Sequence, residues 1–82
     1  MKTVYIVENY LDGGTCVYYT AEKARENAIK SLINYWNEYE KKYHEDDAAL
    51  NRAIEEIRTQ AEKYEGEFDT DNARCYEVPI VE

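Results

Sequence analysis

The sequence predicts an α+β fold: a three-stranded antiparallel or mixed sheet in the order β-β-α-α-β, with a helical hairpin packed on one face. Three observations carry that expectation. Two short runs rich in β-branched and aromatic residues flank an Asp-Gly pair near the start. A long central stretch free of Pro and Gly repeats its apolar residues at the helical period. A third β-rich run closes the chain. The 82 residues (1–82) make a single domain, with a core too small to enclose a large substrate cleft.

Thr3–Tyr10 reads as the first strand, carried by Val4, Tyr5, Ile6 and Val7. Leu11-Asp12-Gly13-Gly14 reads as a hairpin turn, since type I′ turns need positive φ. Thr15–Tyr19 returns as the second strand. Both strands are apolar on both faces near their middles, so one face awaits helices and the other a partner or solvent.

Thr20–Tyr43 is the organising helix. Ala21, Ala24, Ala28, Leu32, Tyr35, Tyr39 and Tyr43 fall three or four apart, and Ile29, Ile33 and Trp36 widen the stripe. At 3.6 residues per turn the stripe covers about half of the circumference. Such a helix should meet the sheet and a second helix together. Thr20 is the expected N-cap, Glu22 suits the positive end, and Lys41 and Lys42 suit the negative end. Asp46 or Asp47 can cap a second helix carried by Leu50, Ala53, Ile54, Ile57, Ala61 and Tyr64, with Gly66 as its stop. A single continuous helix would place Asp46 on the apolar stripe and run about 68 Å. It would demand a dimer, so the hairpin is the expected form. Glu67–Asn72 reads as a polar loop, and Ala73–Val81 as the last strand with Tyr76, Val78 and Ile80 on one face. Pro79 places that strand at an edge, or leaves its amide side open there.

Charge narrows the function classes. Eighteen acidic residues against ten basic give −8, which argues against direct nucleic-acid binding and against an anionic membrane surface. It suits a basic protein partner, including a nucleic-acid-binding one whose ligand the acid imitates. Carboxylates one helical turn apart lie roughly 5–6 Å from each other, and Glu22 with Glu26, Glu38 with Glu45, and Glu55, Glu62 and Glu65 form such rows. The competing reading is a helix laced with i,i+4 ion pairs: Glu26 with Lys30, Glu38 with Lys42, and Arg58 with Glu62. No run approaches the roughly 20 apolar residues of a membrane span, and Met1–Tyr10 does not read as a signal peptide. The expected location is cytoplasmic. In a reducing compartment Cys16 and Cys75 read as small buried hydrophobes, with a disulfide between neighbouring strands as the alternative.

Catalytic, cofactor and metal sites find little support. His44, the one histidine, sits in a charged inter-helix segment and reads as a solvated side chain rather than a general base. His44, Glu45, Asp46 and Asp47 are adjacent, so their side chains diverge. Asp69-Thr70-Asp71-Asn72 starts like a calcium loop but has Arg74 where the glycine belongs and no closing Glu. The aromatics point elsewhere. Nine Tyr and one Trp exceed what so small a core can bury, and such residues are common at interface hot spots. Tyr35, Trp36, Tyr39 and Tyr43 on the helix, Tyr18 and Tyr19 on the hairpin, and the nearby Glu38 and Glu45 are the candidate protein-binding residues.

Val4-Tyr5-Ile6-Val7, the glycine-containing turn, Val17-Tyr18-Tyr19-Thr20, Ala21-Glu22-Lys23-Ala24 and the closing Tyr76-Glu77-Val78 together resemble a pattern in small bacteriophage and prophage proteins. The resemblance covers both ends of the chain and holds no functional motif, so it assigns no site residue. It implies a β-hairpin–helix–strand fold and an inhibitor of a host defence or nucleic-acid-processing protein, acting in host cytoplasm. The expected function is therefore a non-enzymatic acidic protein-binding module. A structural homodimer is the alternative, and a small enzyme using His44 or the cysteines is third.

Overall fold

The computed structural model describes residues 2–81. The chain is α+β, with one four-stranded antiparallel sheet and two main helices. The strands are β1 (Lys2–Asn9), β2 (Gly14–Tyr18), β3 (Phe68–Asp69) and β4 (Ala73–Ile80). Their order across the sheet is β2-β1-β4-β3. The three-stranded expectation is thus one strand short. Two residues of β3 fall below any periodicity signal, yet Phe68 is buried opposite Cys75 and Asp69 lies opposite Arg74. The expected polar loop supplies this strand because Phe68 is its one large apolar residue. The turn after it, where a calcium loop was considered, is closed by Thr70, whose hydroxyl accepts from the amides of Asn72 and Ala73.

The first hairpin turns through Tyr10–Gly13 rather than through a two-residue Asp-Gly turn. Only Gly13 of that loop has positive φ, and the Asp12 carboxylate accepts from the Gly14 amide at 2.7 Å. Beyond Cys75 no strand among the described residues lies on the outer side of β4, so the absence of an amide at Pro79 is tolerated. The Glu77 amide on that open stretch donates to the Glu67 carboxylate at 2.9 Å.

Helix α1 spans Ala21–Tyr35 and α2 spans Ala48–Lys63. Thr20 caps α1, its hydroxyl accepting from the Lys23 amide. Ala24 and Ala28 are fully buried on the sheet side of the hairpin, where small side chains let the helix backbone sit close to β1. Another part of the α1 stripe meets α2, so this helix touches both layers as its width predicts. Gly66 stops α2 with φ of 99°, and its amide donates to the Ala61 carbonyl at 2.7 Å. A Cβ there would stand 2.5 Å from that of Ala21, so the α2 terminus abuts the start of α1.

The expected helix to Tyr43 is corrected. Regular α-helix ends at Tyr35, and the chain continues as a π-helical turn (Trp36–Glu40) and a 3-10 turn (Lys41–Tyr43). It becomes extended at His44, which rules out the continuous helix. The i,i+4 ion pairs read from the sequence are also absent. Among the described residues, the ion pairs within 4.0 Å are His44–Glu40 and Arg74–Glu8. Exposed pairs on a helix are worth only about 0.3–0.5 kcal/mol, too little to hold these lysines against solvent. The cysteines are free. Cys16 and Cys75 both lie opposite Val7, one on each side of β1. Two strand spacings, roughly 9.6 Å, exceed the reach of a disulfide.

Candidate functional site

The far end of the helical hairpin gathers most of the aromatic residues singled out above. At the π-helical turn the Lys41 amide bonds to the Trp36 carbonyl, five residues back. That wider turn changes the phase of every side chain after Tyr35. On an ideal α-helix Tyr39 and Tyr43 would continue the buried stripe; here they are 53% and 73% exposed. Single π turns are frequent at functional sites, where they re-aim side chains.

Trp36 goes the other way. It is 7% exposed, and its indole N–H donates to the Asp47 carboxylate at 3.0 Å. The residue expected on a binding surface is therefore core, buried with its polar handle satisfied. Asp47 stands at the N-cap position of α2, but its side chain is taken by Trp36. Asp46 does the capping instead, accepting from the Ala48 amide at 3.0 Å. The His44 ring lies 4.4 Å from the Trp36 ring, and its Nε2 is 3.5 Å from Glu40. So the sole histidine is not free in a loop. It closes the hairpin corner against the indole.

These contacts frame a groove of about 320 Å³. Leu32, Trp36, Leu50 and Ala53 form its apolar lining, Leu11 from the first hairpin and Tyr35 close one side, and Glu40 and His44 stand at its polar rim. The volume is at the low end of ligand pockets, large enough for one or two side chains. Leu11, Tyr35 and Tyr39 line a second, adjoining hollow together with Asp12. The Tyr35 and Tyr39 rings pack at 5.0 Å between centroids, and the Lys42 ammonium lies 5.2 Å from the Tyr43 ring.

The electrostatics are acidic. Residues 38–47 hold Glu38, Glu40, Glu45, Asp46 and Asp47 against Lys41 and Lys42. The Glu38 charge beside the Tyr39 hydroxyl pushes the phenol up from its ordinary pKa, with a smaller contribution from burial. Glu45 is exposed on the same corner. Tyr18 and Tyr19 are not brought here. Tyr18 is half-buried on the sheet's helix side, near Lys23 and Asn27 of α1, and Tyr19 is 79% exposed beyond the end of β2. Sequence reasoning missed Leu11, Glu40 and Leu50 as groove residues. Their meeting depends on how the hairpin loop folds against the π turn, and no local spacing encodes that.

The chain matches no protein-family model, no curated protein and no solved structure. Among the described residues no helix is long and apolar enough to cross a membrane. The groove must therefore be read from its own chemistry. It offers an apolar slot, the exposed Tyr39 phenol in the adjoining hollow and more carboxylates than lysines along the same segment. A slot takes an aliphatic or aromatic side chain, phenols give broad contact at low entropic loss, and carboxylates take lysine or arginine.

Proposed function

We propose that this chain is a non-enzymatic protein-binding module that engages a basic segment of a partner protein at the acidic, aromatic end of its helical hairpin. The observation that supports it best is the π turn, which lifts Tyr39 and Tyr43 out of the buried stripe and sets Tyr39 in the hollow adjoining the Leu32–Trp36–Leu50 groove. The carboxylates of residues 38–47 favour a cationic partner, and a nucleic-acid-binding protein has such a surface. The resemblance to small phage proteins supplies the setting. In that reading the chain is carried by a bacteriophage, acts in host cytoplasm, and inhibits a host defence or nucleic-acid-processing protein.

Affinity capture from cells of the encoding host tests this. Wild-type protein should retain one stoichiometric partner of basic character, and the Tyr39→Ala/Tyr43→Ala variant should lose it while keeping the wild-type circular dichroism. Equal retention by the folded variant would refute the assignment of this surface.

A further inference from the structure

The side of the sheet turned away from the helices is a second surface. Strand alternation puts Tyr5, Val7 and Asn9 of β1 toward the helices and Lys2, Val4, Ile6 and Glu8 on the open side. The register carries the same division across the sheet. Val17 and Tyr76 flank Ile6, Val78 lies beside Val4, and Ile80 lies beside Lys2. Val4, Ile6, Tyr76, Val78 and Ile80 are each partly exposed, and Val17 is 59% exposed. The result is an apolar panel that no other described residue covers as a layer. From strand and residue spacings its apolar part measures about 14 Å by about 17 Å, a few hundred Å² at most.

Its charges set it apart from the rest of the chain. Glu8 and Asp69 stand at one end with Arg74 between them in the register, and Lys2 stands at the other. The Arg74 guanidinium lies 4.6 Å from the Tyr76 ring and 4.0 Å from Glu8. Two acidic and two basic side chains make this face neutral. With Glu82 set aside, the rest of the chain holds fifteen acidic residues against eight basic. The acid excess therefore lies off the open face.

We infer that this face is a homodimer interface, occupied by the same face of a second copy with its strands running in the opposite direction. A two-fold axis in the interface plane, across the strands, stacks the Val4–Ile6–Val78 panels. It sets the Lys2 end of each copy over the Glu8–Asp69 end of the other. The alternative two-fold, along the strands, would stack like ends and bring the carboxylates together. Stacked sheets sit about 10 Å apart, a gap that a lysine side chain crosses. The acidic helix layers then face outward, roughly 30 Å from each other, several times the Debye length of about 8 Å at physiological salt. The second copy thus covers the apolar panel without juxtaposing the charge that would oppose association. The panel is small, so the dimer is a weak one, and the dimer leaves both helix-end grooves open. The inference stands apart from the partner-binding reading: it is tested with purified protein alone.

Sedimentation equilibrium from about 10 µM to about 500 µM, a range suited to weak association, provides the test. The average mass of the wild type should rise from 9.7 kDa toward twice that value. Val17→Asp, at an exposed position of an edge strand, should weaken association at least about tenfold, equivalent to 1.4 kcal/mol. Lys2→Glu and Glu8→Lys should each weaken it, and the two together should restore it. A wild type that stays at monomer mass throughout would overturn the inference. So would a dimer indifferent to Val17→Asp, which would indicate pairing through a strand edge. A charge-swap pair that fails to recover would overturn the antiparallel arrangement.

Discussion

The two halves of the central helical segment are built from similar residue spacing and do opposite things. In the first half Ala24, Ala28, Ile29 and Leu32 stay on one α-helical stripe and are all buried. In the second half the spacing continues through Tyr35, Tyr39 and Tyr43, but the π turn breaks the phase and turns Tyr39 and Tyr43 outward. Periodicity alone therefore does not locate a core. Side-chain size decides which half can tolerate regular winding. Alanines allow close approach to β1, whereas a row of phenols on the same stripe would need space that the Trp36 ring already fills.

The sharpest way to break this contrast is at Trp36, which belongs to the core although it sits in the outward-turned half. Trp36→Ala should destabilise the fold by about 3–5 kcal/mol, read by denaturant unfolding. A loss below about 1 kcal/mol would place the indole on the surface. Alkaline pH probes the sheet beneath the regular half. Cys75 is 2% exposed and burial pushes its thiol up to about 11 from 9. The unfolded chain deprotonates first, so stability should be intact below about pH 9 and fall by about 2–3 kcal/mol as pH rises to about 11. Cys75→Ala should flatten that part of the stability profile. Burial likewise raises the phenols of Tyr5 and Tyr18 on this side of the sheet, so a smaller decline of the same sign should remain.

Ala28→Leu tests the close approach directly. Overpacking a buried, regular position should cost about 1–3 kcal/mol, although leucine is a good helix former. Tyr39→Ala/Tyr43→Ala should change stability least, by within about 0.5 kcal/mol per site, because the rings cover little that is not also covered by Trp36 and Leu50. A large loss from that pair would return these tyrosines to the core and remove the contrast between the halves.

Much of the architecture was legible because it rests on strong local signals. Thr20 as cap, Gly66 as stop, the β1–β2 hairpin (though not its turn type) and the helical hairpin broken near His44 each have a short-range cause. The features that were not legible are non-local. Phe68–Asp69 becomes a strand only because β4 offers it an edge. The Trp36–Asp47 hydrogen bond joins residues across the hairpin corner and diverts Asp47 from the capping role its position suggests. The π turn is a compromise between helix winding and the packing of Trp36 and His44, and single-residue propensities carry no trace of it. Of the candidate binding residues, Tyr35, Tyr39, Tyr43, Glu38 and Glu45 share one end of the molecule. Tyr18 and Tyr19 lie elsewhere because they sit at the end of β2 that leads into α1, away from the Leu11 turn that meets the groove.

Site-directed photo-crosslinking in the encoding cell tests the central contrast most directly. A photoreactive phenylalanine analogue replaces Tyr39 in one version and the exposed Lys23, on the regular half, in another. The account predicts one prominent heterologous adduct from position 39 and none from position 23. Adducts of equal yield from both positions, or from position 23 alone, would contradict it.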